Sequence, residues 1–192
     1  MHLSEVKQVH DIDPEINTDY FLKTHLAVEA ATLRLGLIAL RLQSIPYEQA
    51  RKTIRSRWIR PASDLKKILD SIESTSANRV WINYGLERLM EAFNAYSSKY
   101  RNKVLHAAIS EIYDQKELAL CIEINVSLLR QLEKSLRECF DHSLFDTPAS
   151  WGAKVCRTKP EITVVNAFGG KANEPITYEA ARSLLIDALK MN

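Results

Sequence analysis

Three side chains within one short segment, Arg101, Asn102 and His106, are of the types that carry out acid–base chemistry on a phosphate group. Histidine has an unperturbed pKa of about 6.5, so an imidazole can both accept and donate a proton at neutral pH. Arginine stays charged, and its planar guanidinium can hold a phosphate and stabilise the charge that develops during phosphoryl transfer. These residue types predict a phosphate-directed site.

Helical spacing limits how the three side chains can cooperate. Asn102 and His106 are four residues apart and share a helix face, so Asn102 is expected to orient the imidazole. Arg101 lies about 140° around the helix from His106, and its long side chain must swing round to reach the same phosphate. One chain supplies only one such set, which makes a small active site.

The segment Arg101-Asn-Lys-Val-Leu-His106 resembles the signature of the HEPN family. That signature is an arginine, then a polar residue that is often asparagine, with a histidine four to six residues after the arginine. The predicted order of elements is also similar, because a helix precedes the motif, and a loop and a long amphipathic helix follow it. The resemblance covers about residues 19–140. A second Arg-to-His spacing, Arg137 to His142, lacks the asparagine and ends the last helix of the bundle, so we interpret it as coincidence.

The resemblance implies a metal-independent endoribonuclease that needs no cofactor. His106 would be the general acid/base, Arg101 the clamp for the phosphate and the transition state, and Asn102 the orienting residue. The 2′-hydroxyl of RNA would attack the adjacent phosphate. The resemblance further implies a homodimer with a composite cleft, and a toxin or antiviral-defence role with an antitoxin or a nucleotidyltransferase as partner.

A basic stretch between residues 51 and 67 is a second candidate surface. Asp64 is its only acidic residue, and such a block can meet a phosphate backbone. A solvated helix face is the alternative interpretation. The residues predicted to bind RNA are Arg51, Lys52, Arg55, Arg57, Trp58 and Arg60.

One further pair, His25 and Glu29, shares a helix face at a spacing of four residues. The pair has the chemistry of a base with its orienting carboxylate, or of two metal ligands. No third ligand stands at a useful spacing, so surface or interface polar residues are the preferred interpretation, and we predict no metal site.

The composition excludes several classes of protein. Apolar residues make up 46% and charged residues 26% of the 192 positions, which is ordinary for a globular chain. Only 5 Gly and 6 Pro make a fold of many short strands improbable. No apolar run reaches membrane-spanning length, the first residues lack a signal-peptide core, and three scattered cysteines form no framework. We therefore expect a cytoplasmic location and no membrane partner.

The apolar spacing predicts an all-α fold, an up-and-down helical bundle with a small C-terminal appendage. The predicted division is a polar leader (1–18), the bundle (19–140) and the appendage (141–192). Long helices are expected over 19–43 and 115–140, and a basic helix over 46–60. A break or a new cap is expected near Ser97 or Ser98, and Thr177 is expected to cap a last helix that runs to Leu189. A short strand is expected at 161–165. The apolar face of the first helix is predicted from its three-and-four spacing to be Leu22, Leu26, Ala30, Leu33, Leu37 and Leu40. The face predicted for helix 115–140 is Leu118, Cys121, Ile122, Asn125, Leu128, Leu129, Leu132 and Leu136.

Two other functions fit the same sequence. One is a non-catalytic HEPN-like module that dimerises and scaffolds a partner such as a nucleotidyltransferase. The other is a helical DNA-binding regulator that uses helix 46–60, although 46–72 lacks a clear turn glycine between two short helices.

Overall fold

The computed structural model describes residues 18–42, 45–56, 64–69, 84–106, 114–140, 143–144 and 175–190. These residues form helices and no strand, so the all-α prediction is confirmed. Several predictions concern residues outside the described ranges. These are the leader except for Thr18, the strand expected at 161–165, and the RNA-binding roles of Arg57, Trp58 and Arg60. The helices are α1 (Thr18–Leu42), α2 (Tyr47–Ser56), α3 (Tyr84–Ala92), a π-helix (Phe93–Ser97), α4 (Ser98–Leu105), α5 (Gln115–Phe140) and α6 (Tyr178–Lys190), with a further helical stretch at 64–69.

Helix α5 is the central element of the bundle, and it packs against α1, α3 and the π-helix. Its predicted bounds and its predicted apolar face are both confirmed. The residues expected to line that face are all buried: Leu118, Cys121, Ile122, Asn125, Leu128, Leu129, Leu132 and Leu136. The three-and-four spacing identified these eight positions correctly. Leu120, Ile124 and Val126, which lie outside the predicted face, are buried as well, because α5 packs against several helices.

Helix α1 buries a different face from the predicted one. Its core side consists of Phe21, Val28, Ala31, Leu35, Ile38 and Ala39. Leu26 is 56% exposed and Leu33 is 41% exposed, and Ala30 is exposed between them. The prediction is therefore wrong for these three residues, although Leu40 is buried. Both faces of α1 are apolar, so the spacing of leucines could not tell which of them meets the core.

The helix that carries the Arg–Asn–His segment contains a π-turn. A break or a new cap was expected near Ser97 or Ser98, but the backbone of both residues is helical. Instead, Phe93–Ser97 forms a π-helix, and the Ser98 N–H donates to the Phe93 carbonyl. A π-turn carries one extra residue, so it changes the direction in which later side chains leave the helix.

The C-terminal helix α6 belongs to the same core as the bundle. Ala181, Leu185 and Ala188 are buried in that core, and α6 packs mainly against α3. The Thr177 hydroxyl accepts a hydrogen bond from the Ala180 N–H at 3.2 Å, which confirms the predicted N-cap. Just before this cap, the Ile176 N–H donates to the Ala95 carbonyl in the π-helix at 3.2 Å. None of the helices in the described part of the chain combines the length and apolar character needed to cross a bilayer.

A buried polar network joins α1, the π-helix and α5. The Ser97 hydroxyl donates to the Asn125 amide oxygen at 2.7 Å, and the Asn125 amide nitrogen donates to the Thr24 hydroxyl at 3.1 Å. Thr24 in turn donates to the Phe21 carbonyl at 2.8 Å. All three polar side chains are buried, and the Asn125 amide links the Ser97 hydroxyl to the Thr24 hydroxyl.

Replacing Asn125 by alanine is expected to destabilise the fold. The substitution removes the acceptor of the Ser97 hydroxyl inside the core, which costs about 1–3 kcal/mol, and it removes one of the two hydrogen bonds of the Thr24 hydroxyl. Urea unfolding measures the change. The control is Gln115→Ala, which truncates an exposed amide of the same helix and should change stability by less than about 0.5 kcal/mol. Equal effects of the two substitutions would show that the network does not stabilise the fold.

Candidate active site

Arg101 lies in α4 and reaches a carboxylate on α1. Its Nη2 is 3.5 Å from Oε1 of Glu29, and its Nη1 donates to the side-chain oxygen of Asn102 at 3.2 Å. The side chains of Arg101 and Glu29 are each 29% exposed, so the ion pair lies at the protein surface but is not fully solvated. Among the described residues, these two contacts involve Nη1 and Nη2, whereas a guanidinium carries five N–H groups in all.

Glu29 also contacts His25, one helical turn earlier on α1. The Nε2 atom of His25 is 3.6 Å from the same Oε1 that faces Arg101, a polar contact somewhat longer than a hydrogen bond. The preferred interpretation was a surface or interface residue; His25 is only 3% exposed and lies inside the bundle, so the surface part of that interpretation is wrong for it. Its ring stacks on Phe93 of the π-helix, with ring centroids 5.1 Å apart and an angle of 24° between the planes.

His106 ends helix α4 rather than lying within a longer helix. It is the C-cap residue, with φ −89° and ψ 15°, and its N–H donates to the backbone carbonyl of Asn102. Its imidazole is exposed. Within the described residues, the Asn102 side chain contacts Arg101 and no hydrogen bond joins it to the imidazole. The expected orienting contact is therefore replaced by one that holds the guanidinium.

Only part of the basic helix predicted over 46–60 lies among the described residues, as α2. Arg51, Lys52 and Arg55 are exposed on α2, which packs against α1, the helix that supplies Glu29. Arg51 lies 4.0 Å from Glu48 at the surface. The other predicted RNA-binding residues, Arg57, Trp58 and Arg60, lie outside the described residues.

The described site offers one fixed cation, one carboxylate and one exposed imidazole. A guanidinium with unused N–H groups can bind an oxyanion, and an exposed imidazole can transfer protons. Among the described residues, no group of three His, Cys, Asp or Glu side chains is placed to hold a metal ion. The chemistry that these side chains offer is therefore anion binding together with proton transfer.

Comparisons with known proteins add no further assignment. No protein-family model, no curated protein sequence and no solved structure matches the chain. The interpretation of the site thus depends on its own residues and geometry.

The sequence did not assign Glu29 to the site of Arg101. The two residues are far apart in the chain, and the contact forms only because α1 packs against α4. A partial signal was present in the sequence, because His25 and Glu29 share a helix face and stand out as polar residues on an apolar helix. That signal identified the pair but not its partner.

The surroundings of Glu29 favour its charged form. Contact with the His25 imidazole lowers the pKa of the Glu29 carboxyl below its ordinary value of 4.5; burial opposes this effect, and the charges of His25 and Arg101 reinforce it. A carboxyl with a lowered pKa in the folded state stabilises the fold above its ordinary pKa, and this stabilisation is lost as the pH falls through the lowered value.

The substitution Glu29→Gln is therefore expected to have a pH-dependent effect on stability. The free energy of unfolding of the wild type should exceed that of the variant at about pH 6, and the difference should shrink as the pH falls below about 4.5. Urea unfolding of both proteins across this pH range measures the difference. A difference that does not change with pH would show that the Glu29 charge makes no net contribution to folding.

Proposed function

We propose that the protein is a metal-independent endoribonuclease of HEPN type. The observation that carries the proposal is the arrangement at α4: Arg101 is held at the surface by Glu29 and Asn102, and the exposed His106 ends the same helix. This arrangement presents a phosphate-binding cation and a proton-transfer group on one short element. The resemblance of the Arg101–His106 segment to the HEPN signature supports the same function.

The proposed reaction is an internal transfer at an RNA phosphate. The 2′-hydroxyl loses its proton to an imidazole and attacks the adjacent phosphorus, and the bond to the 5′-oxygen of the next nucleotide breaks. The leaving 5′-oxygen takes up a proton. The products are a 2′,3′-cyclic phosphate and a 5′-hydroxyl. Arg101 stabilises the negative charge that the phosphorane gathers, which is the role for which a fixed guanidinium is suited.

His106 is the one imidazole of each chain assigned to proton transfer in this proposal, so the second proton transfer needs another group, and a homodimer supplies it. The exposed face of α1 supports such a dimer. Leu26 and Leu33, and the partly buried Leu22 and Leu37, are placed symmetrically about the midpoint between Glu29 and Ala30. An antiparallel contact between two copies of α1 would therefore set Leu26 of one copy against Leu33 of the other, as a two-fold interface requires.

The same contact would bring the two sites together. We call the surface formed by Leu22, Leu26, Leu33 and Leu37 the leucine face. Glu29 lies beside the midpoint of this face and contacts Arg101. Helices that pack in this way have axes about 8–10 Å apart. The two Glu29–Arg101 pairs would then flank one cleft, with the two His106 residues at the ends of the adjacent α4 helices. The basic residues of α2, which packs on α1, would guide RNA toward this cleft.

Cleavage of RNA in excess EDTA tests the activity directly. We expect the wild type to produce fragments with 2′,3′-cyclic phosphate ends, and His106→Ala and Arg101→Ala to reduce the rate by about 100-fold or more. The measurement is the rate of fragment formation from a labelled RNA, with analysis of the end groups.

Arg137→Ala is the matched control for this experiment. It removes an arginine from the second Arg-to-His spacing, on the exposed surface of α5, and should leave the rate unchanged. Cleavage that survives both site substitutions would refute the site. A folded dimer that does not cleave RNA would refute the activity and favour the non-catalytic scaffold.

The leucine face is tested by charge substitution. Leu26→Glu or Leu33→Glu would place a carboxylate in an apolar contact, and we expect the dissociation constant of the dimer to rise by about 30-fold or more. Sedimentation velocity measures the change. The control is Leu189→Glu on α6, since Leu189 is 47% exposed and thus comparable with Leu26 and Leu33. An equal effect of the control, or a monomeric wild type, would contradict the proposed interface.

A further inference from the structure

The Glu29 carboxylate that contacts Arg101 also contacts His25. The Nη2 atom of Arg101 faces Oε1 of Glu29 at 3.5 Å, and the same oxygen faces Nε2 of His25 at 3.6 Å. One carboxylate oxygen thus lies between a surface guanidinium and a buried imidazole.

His25 is fixed by packing rather than by hydrogen bonds. Its ring stacks on Phe93 at 5.1 Å and lies 6.0 Å from the ring of Phe21 at an angle of 58°. Phe21 in turn meets Tyr100, the residue before Arg101, edge-on at 5.5 Å. The imidazole therefore connects α1, the π-helix and α4 within one aromatic group.

The other ring nitrogen of His25 is not satisfied. Its Nδ1 is buried and has no hydrogen-bond partner in the described structure. An unpaired buried polar atom costs about 1–3 kcal/mol, and an apolar residue would fill this space without that cost. A histidine here is therefore not explained by packing alone, and among the described residues its polar contact is with Glu29.

We propose that Glu29 and His25 are positioning residues for Arg101, an inference that rests on the proposed ribonuclease function. His25 fixes the Glu29 carboxylate, and the carboxylate fixes the guanidinium in the orientation in which its remaining N–H groups meet the RNA phosphate. Neither Glu29 nor His25 contacts the substrate.

This role predicts that removal of the Glu29 charge makes the substrate bind more tightly but turn over more slowly, so that KM and kcat both fall. The Glu29 charge repels a phosphate bound to Arg101, so its removal should not weaken binding and should lower KM by up to about 10-fold. The same removal frees the guanidinium to leave the productive orientation, and kcat should fall by about 10- to 100-fold. A purely structural role would not separate the two constants in this way.

The experiment compares Glu29→Gln, His25→Phe and Glu91→Gln. Glu29→Gln keeps the shape of the side chain and removes its charge. His25→Phe keeps an aromatic ring against Phe93 and removes the polar contact, and it also serves if the first variant does not fold. Glu91→Gln is the matched control, because it removes the carboxylate of another half-exposed ion pair, with Arg88 at 2.9 Å.

Two measurements are made on each variant. The first is kcat and KM for a short RNA in EDTA. The second is the NMR signal of the Arg101 side-chain Nε–H, assigned with Arg101→Lys, which reports the order of the guanidinium without any need for cleavage. We expect both Glu29→Gln and His25→Phe to lower kcat without raising KM and to shift or broaden this signal, and Glu91→Gln to do neither.

The outcomes separate this proposal from the proposed function. If the wild type does not cleave RNA, the proposed ribonuclease function is wrong. The NMR signal of Arg101 still tests the positioning role in that case, and a change of this signal in Glu29→Gln supports it. A signal that is the same in the wild type and in both α1 variants would overturn it, whatever the activity. With active wild type, an unchanged kcat or an equal loss in Glu91→Gln would also overturn it.

Discussion

The polar contact of Asn125 with Ser97 and Thr24 determines how three elements of the bundle meet. An amide buried in an apolar core must keep its hydrogen bonds, so α1, the π-helix and α5 are restricted to a register that provides them. Arg101 lies one helical turn beyond Ser97, and His25 directly follows Thr24. The buried contact therefore fixes the relative position of the two helices that carry Glu29 and Arg101, and with it the distance between these two side chains.

The π-helix is the second constraint, because it changes the phase between α3 and α4. Its first residue, Phe93, supports the His25 ring, and its last residue, Ser97, enters the polar network. Between them, the Ala95 carbonyl accepts the hydrogen bond from Ile176 that precedes α6. A single irregular turn thus connects the terminal helix, the buried network and the neighbourhood of Arg101. Such turns recur at functional sites in proteins, where they redirect side chains.

Helix α1 shows how an apolar helix can serve two purposes. Phe21, Val28 and Leu35 lie in the core, and the opposite face carries Leu26 and Leu33 in solvent. Solvent-exposed leucines in a row on one helix are typical of an interaction surface. Glu29 lies at the boundary between the two faces, where it is close enough to the core to contact His25 and close enough to the surface to hold Arg101.

By itself, the sequence determined those features of the helices that depend on residues close together in the chain. Helix α5 was predicted with its bounds and its buried face, and the Thr177 cap located the start of α6, because periodicity and capping are local properties of the chain. The sequence also identified Arg101, Asn102 and His106 as candidates from their residue types. Their roles remain the subject of the proposed function.

Only the tertiary structure decided which face of α1 is buried, where the π-turn falls, and that Glu29 meets Arg101. Each of these depends on contacts between residues distant in the chain, and local spacing carries no information about such contacts. The Asn102 side chain illustrates the reason. Its distance from His106 along the helix predicted one partner, but the end of α4 at His106 and the position of Arg101 gave it another.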